Sequence, residues 1–312
     1  DIPGVIHWVC HSKKGDTLAK HLRQFSHPIL EVTGGFMTKI GKNPTLLVFG
    51  QNFPGFYDVN SNGEYTDQVR RFKIHDDGKN LSIEVKAFKP IQPDQNYRRR
   101  DLNVLPTIKK SKNHLKEGLV ALSGVFTPSG GVWTVPVLIK ADGTPFMPNP
   151  NDESTFKQGM SNYASSACGL FSKKSGDMYN LLFGGITFGF FQNGQFQTDD
   201  EFPFTNQVTT VKIDKKGKFS QYIMNGEYPV LLSTQSNPGN QLLFGAGAEF
   251  MLKEGVPRYK NGVLKLDSIK KPTVVGYIVG GIQSTLPNTN VITDSTGSPY
   301  IFKVIVKPKN KI

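Results

Sequence analysis

The segment FYDVNSNGEYTD, residues 56–67, carries oxygen-bearing side chains at the spacing of a calcium-binding loop. Asp58, Asn60 and Asn62 alternate along the chain, and a glycine follows them where such a loop turns sharply. The twelfth position is Val69 rather than glutamate, which excludes an EF-hand. The pattern therefore predicts either a weak calcium site formed by these three side chains or a simple turn. No cofactor other than calcium is expected.

A second stretch, NYRRRDL at 96–102, places three consecutive arginines between a tyrosine and an aspartate. The planar guanidinium group can hold a carboxylate, sulfate or phosphate through two parallel hydrogen bonds. We therefore expect this stretch to bind an anionic ligand through Tyr97, Arg98, Arg99, Arg100 and Asp101. The alternative is structural: one arginine pairs with the aspartate to fix a junction while the others are solvated.

The loop QTDDEFPF, residues 197–204, contributes a third group of reactive side chains, Asp199, Asp200 and Glu201. Such carboxylates can bind a metal, pair with the arginines, or act as general acid and base in glycoside cleavage. A hydrolase or lyase would use one of them together with Asp58 or Asp101. The six histidines lack metal-ligand spacing.

The cysteine content and the charge set the broad class. Cys10 and Cys168 allow one disulfide, and Cys168, among small residues, is expected to be a buried packing thiol rather than a nucleophile. The net charge of +12 predicts attraction to anionic surfaces such as phospholipid headgroups, acidic polysaccharide or nucleic acid, although solvated lysine-rich turns are the alternative. No apolar stretch is long enough for a membrane span. We expect a secreted or periplasmic monomer.

A repeat organises these groups. An apolar run that ends in glycine recurs as TLLVFG (45–50), GLVALSG (118–124), NLLFGG (180–185), QLLFGAG (241–247) and VVGYIVGG (274–281). Two longer alignments support it: 32–50 matches 167–184 with Phe49 over Phe183, and QVRRFKIHDDGK (68–79) matches QVTTVKIDKKGK (207–218). Glycine in DDGK, ADGT and KKGK suits hairpin turns that need positive φ. Each unit is therefore predicted to be four antiparallel strands.

The glycine-ended run, the variable loop after it and the following V-x-x-F/V-K-I strand resemble kelch-type β-propellers and secreted bacterial propeller proteins. The resemblance covers most of residues 28–306. It implies an all-β fold consisting of a single propeller with four-stranded antiparallel blades, and the glycine spacing predicts five of them. Residues 1–27 are expected to supply an irregular segment and a closing strand, with GVIHWVC (4–10) paired to IFKVIV (301–306).

In a propeller, the loops between second and third strands share one face with the loops between blades. This face would gather the arginines and several aromatic rings, among them Tyr57, Phe126, Phe190 and Phe191. Aromatic rings beside basic groups are typical of sugar stacking. The sequence thus predicts non-catalytic recognition of an anionic glycan or a protein partner, with nucleic acid less expected. The alternatives are a glycoside hydrolase or lyase on the same face and a kelch-type interaction scaffold.

Overall fold

The computed structural model describes residues 1–11, 17–55, 63–112, 114–289 and 291–308. These residues fold mainly into antiparallel strands, so the predicted all-β class is confirmed. Helices are short, and none in the described part of the chain is long and apolar enough to cross a membrane. They are the α-helix α1 (Ile2–His11) and the 3₁₀ helices Leu18–Lys20, Pro28–Leu30, Gln95–Tyr97, Leu266–Ser268 and Ile292–Asp294.

Two four-stranded sheets come first in the chain. In each, every strand pairs antiparallel with the next one in sequence. Sheet I consists of Phe36–Lys39, Thr45–Val48, Val69–Asp76 and Leu81–Lys89. Sheet II consists of Asn103–Ser111, His114–Leu122, Val137–Lys140 and Pro145–Phe146.

Two further sheets repeat this arrangement. Sheet III consists of Ser166–Phe171, Met178–Ile186, Phe204–Ile213 and Phe219–Glu227, and the short strand Leu264–Lys265 runs parallel to its first strand. Sheet IV has three strands, Ala248–Leu252, Thr273–Gly280 and Ile301–Val306.

The loop after the second strand carries a small two-stranded ribbon in three of the four sheets. These ribbons are Gln51–Asn52 with Glu64–Tyr65, Gly189–Gln192 with Gln195–Thr198, and Ile282–Ser284 with Ser295–Gly297. In sheet II a single bridge between Val125 and Val132 takes the same place. The four loops therefore share a plan although their sequences differ.

The turns between third and fourth strands form as their sequences predict. Gly78, Gly143 and Gly217 have φ of +88°, +87° and +91°. An aspartate ahead of each glycine fixes the turn through its side chain. The Asp77 Oδ1 atom, for example, accepts hydrogen bonds from the backbone N–H groups of Lys79 and Asn80. The polar turn residues thus supply partners for backbone groups that the ladder leaves free.

Each second strand ends in two consecutive residues with left-handed backbone. The pairs are Phe49–Gly50, Ser123–Gly124, Gly184–Gly185 and Gly280–Gly281. The second residue of each pair is glycine, and a Cβ atom there would lie 2.6–3.1 Å from a carbonyl oxygen in the segment that leads into the first strand of the same sheet. In the order of the pairs, these oxygens belong to Thr33, Arg100, Tyr163 and Ala246. Only glycine fits this close approach of two backbones. The glycines that mark the repeat therefore have one structural role in all four sheets.

A series of hydrogen bonds connects the sheets at the same end. Asp101 donates its backbone N–H to the oxygen of Gly34 (2.8 Å), Ala164 to Asp101 (3.0 Å) and Gly247 to Ala164 (2.7 Å). All four have positive φ, and each precedes the first strand of one sheet. We call them the junction residues, and the end of the sheets at which they lie the junction face.

The core consists of three apolar layers, one between each pair of successive sheets. Val48 and Ala121 belong to the layer between sheets I and II, Val120 and Leu182 to that between II and III, and Phe183 and Ile278 to that between III and IV. The first strands of sheets II, III and IV, together with Phe36 of sheet I, border one cavity of about 440 Å³. The sheets are thus arranged around a shared space rather than stacked in a flat sandwich.

Two parts of the chain differ from the sequence prediction. Residues 4–10, expected as a closing strand paired with 301–306, lie in α1, and the strand Ile301–Val306 pairs with Thr273–Gly280. The fourth glycine-ended run, 241–247, connects sheet III to sheet IV through isolated bridges. The described residues therefore contain four sheets of three or more strands, and a fifth blade stays a prediction.

Candidate functional site

Two of the three consecutive arginines line the junction face, and each lies on an aromatic ring. The guanidinium carbon of Arg98 is 3.8 Å from the centre of the Tyr65 ring, and that of Arg100 is 5.1 Å from the centre of the Phe126 ring. Arg98 Nη1 also donates to the carbonyl oxygen of Phe126 (2.8 Å). Ring stacking and a backbone hydrogen bond hold the guanidinium group of Arg98 in a defined orientation.

Each of these two arginines has an aspartate beside it. Arg100 Nη1 lies 3.2 Å from Asp101 Oδ2, as the structural alternative predicted for one arginine of the three. Burial raises the pKa of the Asp101 carboxyl group, and the positive charge of Arg100 opposes the rise. Burial likewise raises the pKa of Asp67, where the nearby Arg98 has the opposing effect. The junction face thus presents two arginines that lie on aromatic rings, and the aspartate beside each one offsets part of its positive charge.

The middle arginine points the other way. Arg99 is 0% exposed, with its guanidinium carbon 4.5 Å from the centre of the Trp133 ring. Its Nη1 atom donates to the carbonyl oxygens of Ser123 and Val135. Burial lowers the pKa of Arg99 to about 9, so the group remains protonated at neutral pH. Its surroundings are aromatic rings and carbonyl oxygens, which makes Arg99 part of the core and not of a binding surface.

Tyr97 is also a core residue. Its ring stacks on Phe49 at 5.5 Å between centroids, and it is only 9% exposed. The candidate surface therefore keeps Arg98, Arg100 and Asp101 from the original stretch and excludes the side chains of Tyr97 and Arg99.

A row of aromatic side chains extends this surface toward sheet III. Tyr163 packs edge-on against Phe202 (6.5 Å), and Phe202 in turn contacts Phe188 (6.4 Å). Burial raises the pKa of the Tyr163 hydroxyl group, and the nearby Asp101 carboxylate raises it further. The aromatic row and the two arginines therefore form one continuous half-buried surface.

Phe190 and Phe191 lie on the ribbon that follows the second strand of sheet III. Phe191 packs edge-on against Phe196 at 5.5 Å, and Gln207 bonds to both backbone groups of Phe191. Both phenylalanines are half-buried, so the ribbon presents aromatic area on a fixed backbone. They remain candidates for ligand contact at the edge of the site.

The acidic loop is built around one hydrogen-bonded carboxylate. Asp199 accepts hydrogen bonds from the side-chain amide of Asn288 (2.9 Å) and from the backbone N–H of Glu201 (2.8 Å). Asp200 and Glu201 are exposed beside it. Within the described ranges, no group of three or more His, Cys, Asp or Glu side chains is arranged to hold a metal ion.

Four further candidates, Tyr57, Asp58, Asn60 and Asn62, lie outside the described residues. The calcium interpretation of that loop stays a prediction. The two cysteines are free: Cys10 is exposed, and burial raises the pKa of the Cys168 thiol to about 12. A thiol that stays protonated at neutral pH is a poor nucleophile, which supports a packing role for Cys168.

Sequence reasoning missed Tyr65, Trp133 and Tyr163. Tyr65 and Trp133 are the aromatic partners of Arg98 and Arg99, and no spacing rule joins positions so far apart in sequence. Tyr163 had a signal, because it precedes a junction residue just as Arg100 does. An alignment of the segments that lead into each first strand would have placed the two side by side.

Comparison with known proteins gives no family for this chain. No protein-family model matches it, and no curated protein matches its sequence. The geometry of the junction face is therefore the basis for any functional conclusion.

Proposed function

We propose that the four sheets are the blades of one β-propeller and that its junction face recognises an anionic glycan without cleaving it. Three features support a propeller: each sheet orders its strands by sequence, the junction residues are joined in series, and the first strands border a common cavity. The repeated pairs of left-handed residues, each with glycine second, are in line with the resemblance to kelch-type propellers. On this proposal, residues 241–247 connect two blades.

The observation that carries the glycan proposal is the pair of arginines stacked on Tyr65 and Phe126. A stacked guanidinium group loses little freedom when it binds a carboxylate, because its ring already restricts it. The neighbouring row of Tyr163, Phe202 and Phe188 offers apolar faces to sugar rings. An oligosaccharide of uronic acids has both features that this surface would bind. Such glycans are extracellular, which fits the prediction of a secreted or periplasmic protein.

Isothermal titration calorimetry with a uronic acid tetrasaccharide and a neutral tetrasaccharide tests the proposal. We expect the acidic glycan to bind and the neutral one not to bind. Arg98→Gln and Arg100→Gln should each weaken binding about tenfold or more, because a hydrogen bond between charged groups contributes about 1.5–3 kcal/mol. Arg98→Lys should restore only part of the affinity, since lysine keeps the charge and loses the planar fork.

Arg258→Gln is the matched control, because it removes the same charge from an exposed position outside the site. Equal losses in the control and in the site variants would reject a specific site and leave only net charge. Equal binding of neutral and acidic glycans would reject the role of the arginines. Release of reducing ends during the titration would favour the glycoside hydrolase or lyase instead. Binding of neither glycan would overturn the proposal in favour of a protein partner.

A further inference from the structure

The end of the sheets opposite the junction face is rich in exposed lysines. They lie on the turns that join first to second strands and third to fourth strands. We call this end the lysine face, and its clearest members are Lys42, Lys112, Lys173, Lys174, Lys215 and Lys216.

Direct contacts bring the turns of different sheets together on this face. The Nζ atom of Lys109, in sheet II, is 3.9 Å from the position of a Cβ atom on Gly217, in a turn of sheet III. A cavity of about 390 Å³ is bordered by Ile40, Gly41 and Asn43 at sheet I, by Ile108, Leu115, Glu117 and Ala141 at sheet II, and by Tyr259 and Lys260. The turns of sheets I, II and III are therefore neighbours at this end, and the exposed lysines lie on these turns.

Two carboxylates on this face accept hydrogen bonds from residues of the turns. Asp214 Oδ1 accepts hydrogen bonds from the backbone N–H groups of Lys216 and Lys218. Asp267 accepts from the Ser172 hydroxyl group (2.8 Å) and from the backbone N–H of Lys174 (3.1 Å). These bonds direct negative charge toward the backbone, while the lysine ammonium groups extend into solvent. Because exposed lysines outnumber these carboxylates at the turns, we expect a positive surface potential at this face.

The helix α1 adds exposed apolar area. None of its residues is buried, and Ile2, Ile6 and Val9 are 75%, 58% and 67% exposed. These residues are separated by four and three positions, which places their side chains on one side of the helix. An exposed apolar stripe on a short helix is a common element of membrane-surface binding.

The helix lies at the lysine face. The Asp1 carboxylate at its start contacts His21 (3.2 Å), and Arg23 shortly after pairs with Asp76. Arg23 also donates to the carbonyl oxygen of Gly78, in the turn between the third and fourth strands of sheet I. That turn belongs to the lysine face, so α1 and the lysines are anchored at the same end of the molecule.

We propose that the protein binds the surface of an anionic lipid bilayer through α1 and the lysine face together. The ammonium groups would lie against the headgroups, and the stripe of Ile2, Ile6 and Val9 would enter the boundary of the acyl chains. Two weak signals of this kind act jointly, because each alone gives only marginal and reversible attachment. A nucleic acid would satisfy the lysines and leave the apolar stripe in water. The bilayer accounts for both observations, and it leaves the junction face directed away from the membrane.

Co-sedimentation with vesicles tests this inference. Vesicles of phosphatidylcholine with about one-third phosphatidylglycerol represent an anionic bilayer, and pure phosphatidylcholine vesicles are the neutral reference. We expect partitioning into the anionic vesicles at least tenfold stronger than into the neutral ones. Lys215→Glu with Lys216→Glu should weaken partitioning about 25-fold or more, because each basic residue near such a surface contributes about fivefold.

Ile6→Ser with Val9→Ser should weaken partitioning separately, and neither residue is buried in the fold. The matched control is Lys157→Glu with Lys303→Glu, which makes the same change in charge at exposed positions away from the turns. Equal losses in the charge control and the turn variant would overturn the lysine face as a site. Retained binding in the helix variant would overturn the role of α1. Binding of a DNA duplex at matched salt, with no partitioning into vesicles, would replace the bilayer with nucleic acid.

Discussion

The two ends of the sheets carry positive charge in opposite ways. At the junction face, Arg98 and Arg100 are half-buried, stacked on rings and placed beside aspartates. At the lysine face, the charges are exposed ammonium groups on flexible stems at the tips of turns. A restrained guanidinium group selects ligands by geometry, whereas mobile ammonium groups respond mainly to the density of negative charge.

This difference follows from where the loops are anchored. The junction face is built by close backbone approaches that admit only glycine, so side chains there have fixed positions. The turns of the lysine face close on themselves through aspartate side chains, and a Cβ atom on Gly217 would meet no atom closer than 3.9 Å. Rigidity and specificity are therefore expected at one end, and tolerance to substitution at the other.

Replacement of the buried arginine should show the largest contrast. Arg99→Ala is expected to lower the free energy of unfolding by about 3–5 kcal/mol, because it leaves a cavity and removes the partner of two buried carbonyl groups. Lys216→Ala, on an exposed turn, should change it by no more than about 0.5 kcal/mol. Urea denaturation of the two variants measures both values.

Arg99→Met separates the volume of this side chain from its charge. Methionine fills much of the space and removes a buried charge, so it should cost less than alanine. If both substitutions left stability unchanged, the core role of Arg99 would be refuted. The distinction between a rigid and a tolerant end would then lose its strongest support.

Two glycines with the same backbone conformation provide a matched second test. Gly50, at the junction face, and Gly217, at the lysine face, both have φ of +91°. A Cβ atom on Gly50 would lie 2.7 Å from the oxygen of Thr33 and 2.8 Å from the nitrogen of Gly35, while the nearest atom to one on Gly217 is a lysine Nζ at 3.9 Å.

Gly217→Ala should therefore cost about 1 kcal/mol, from backbone strain alone. Gly50→Ala should cost about 3 kcal/mol, since it adds a clash between backbones that no side-chain rotation relieves. Thermal unfolding of the pair measures the difference. Equal costs would show that the junction face is no more constrained than an ordinary turn.

Much of the sheet structure could be predicted from the sequence, because local signals determine it. Apolar runs that end in glycine and the turns DDGK, ADGT and KKGK marked the hairpins, and the match of 68–79 with 207–218 correctly paired two third strands that each contain a bulge. The match of 32–50 with 167–184 was out by one residue in the second strand and by four in the first, where Phe36 corresponds to Ser166. By strand pairing, Phe183 corresponds to Val48 and not to Phe49. A shift of one residue moves a side chain to the opposite face of a strand, and apolar composition alone cannot detect it.

The site was harder to predict because burial there contradicts residue type. Arg99 and Phe244 occupy matching places: each offers its carbonyl oxygen to the glycine that ends a neighbouring second strand. Phenylalanine in a core is ordinary, but a buried arginine among carbonyl oxygens cannot be told from its half-buried neighbours Arg98 and Arg100 by sequence. For the same reason the run 241–247 resembled a strand of a further sheet, because a buried connection is as apolar as a buried strand.

Salt should distinguish the two ends in binding. An increase from 0.1 to 0.5 M sodium chloride shortens the screening length to less than half. Vesicle partitioning, which depends on many exposed charges, should fall about tenfold or more, and glycan binding by half-buried arginines should fall only about two- to threefold. Titrations of both ligands at the two salt concentrations provide the comparison. A steeper fall for the glycan would reverse the assignment of specific and diffuse binding.

The smallest effect is expected from Asp101→Asn, which tests how far the aspartate restrains Arg100. Asparagine tolerates the positive φ of +53° at this position, so the backbone should be preserved. Loss of the negative charge should strengthen binding of the acidic glycan about two- to fivefold at pH 7. This factor corresponds to the interaction energy of a partly exposed ion pair such as that of Arg100 with Asp101.

The pH dependence of stability has a definite sign at this position. Because burial raises the pKa of Asp101, the folded state holds its proton to a higher pH than the unfolded state does. The Asp101 contribution to the free energy of unfolding is therefore largest at low pH and falls as pH rises through the raised pKa. Asp101→Asn lacks this loss, so its stability relative to the parent protein should increase between pH 3.5 and pH 6. A relative decrease over that range would show that the charge of Arg100 affects the pKa of Asp101 more than burial does. Ion pairing, rather than packing, would then stabilise the junction face.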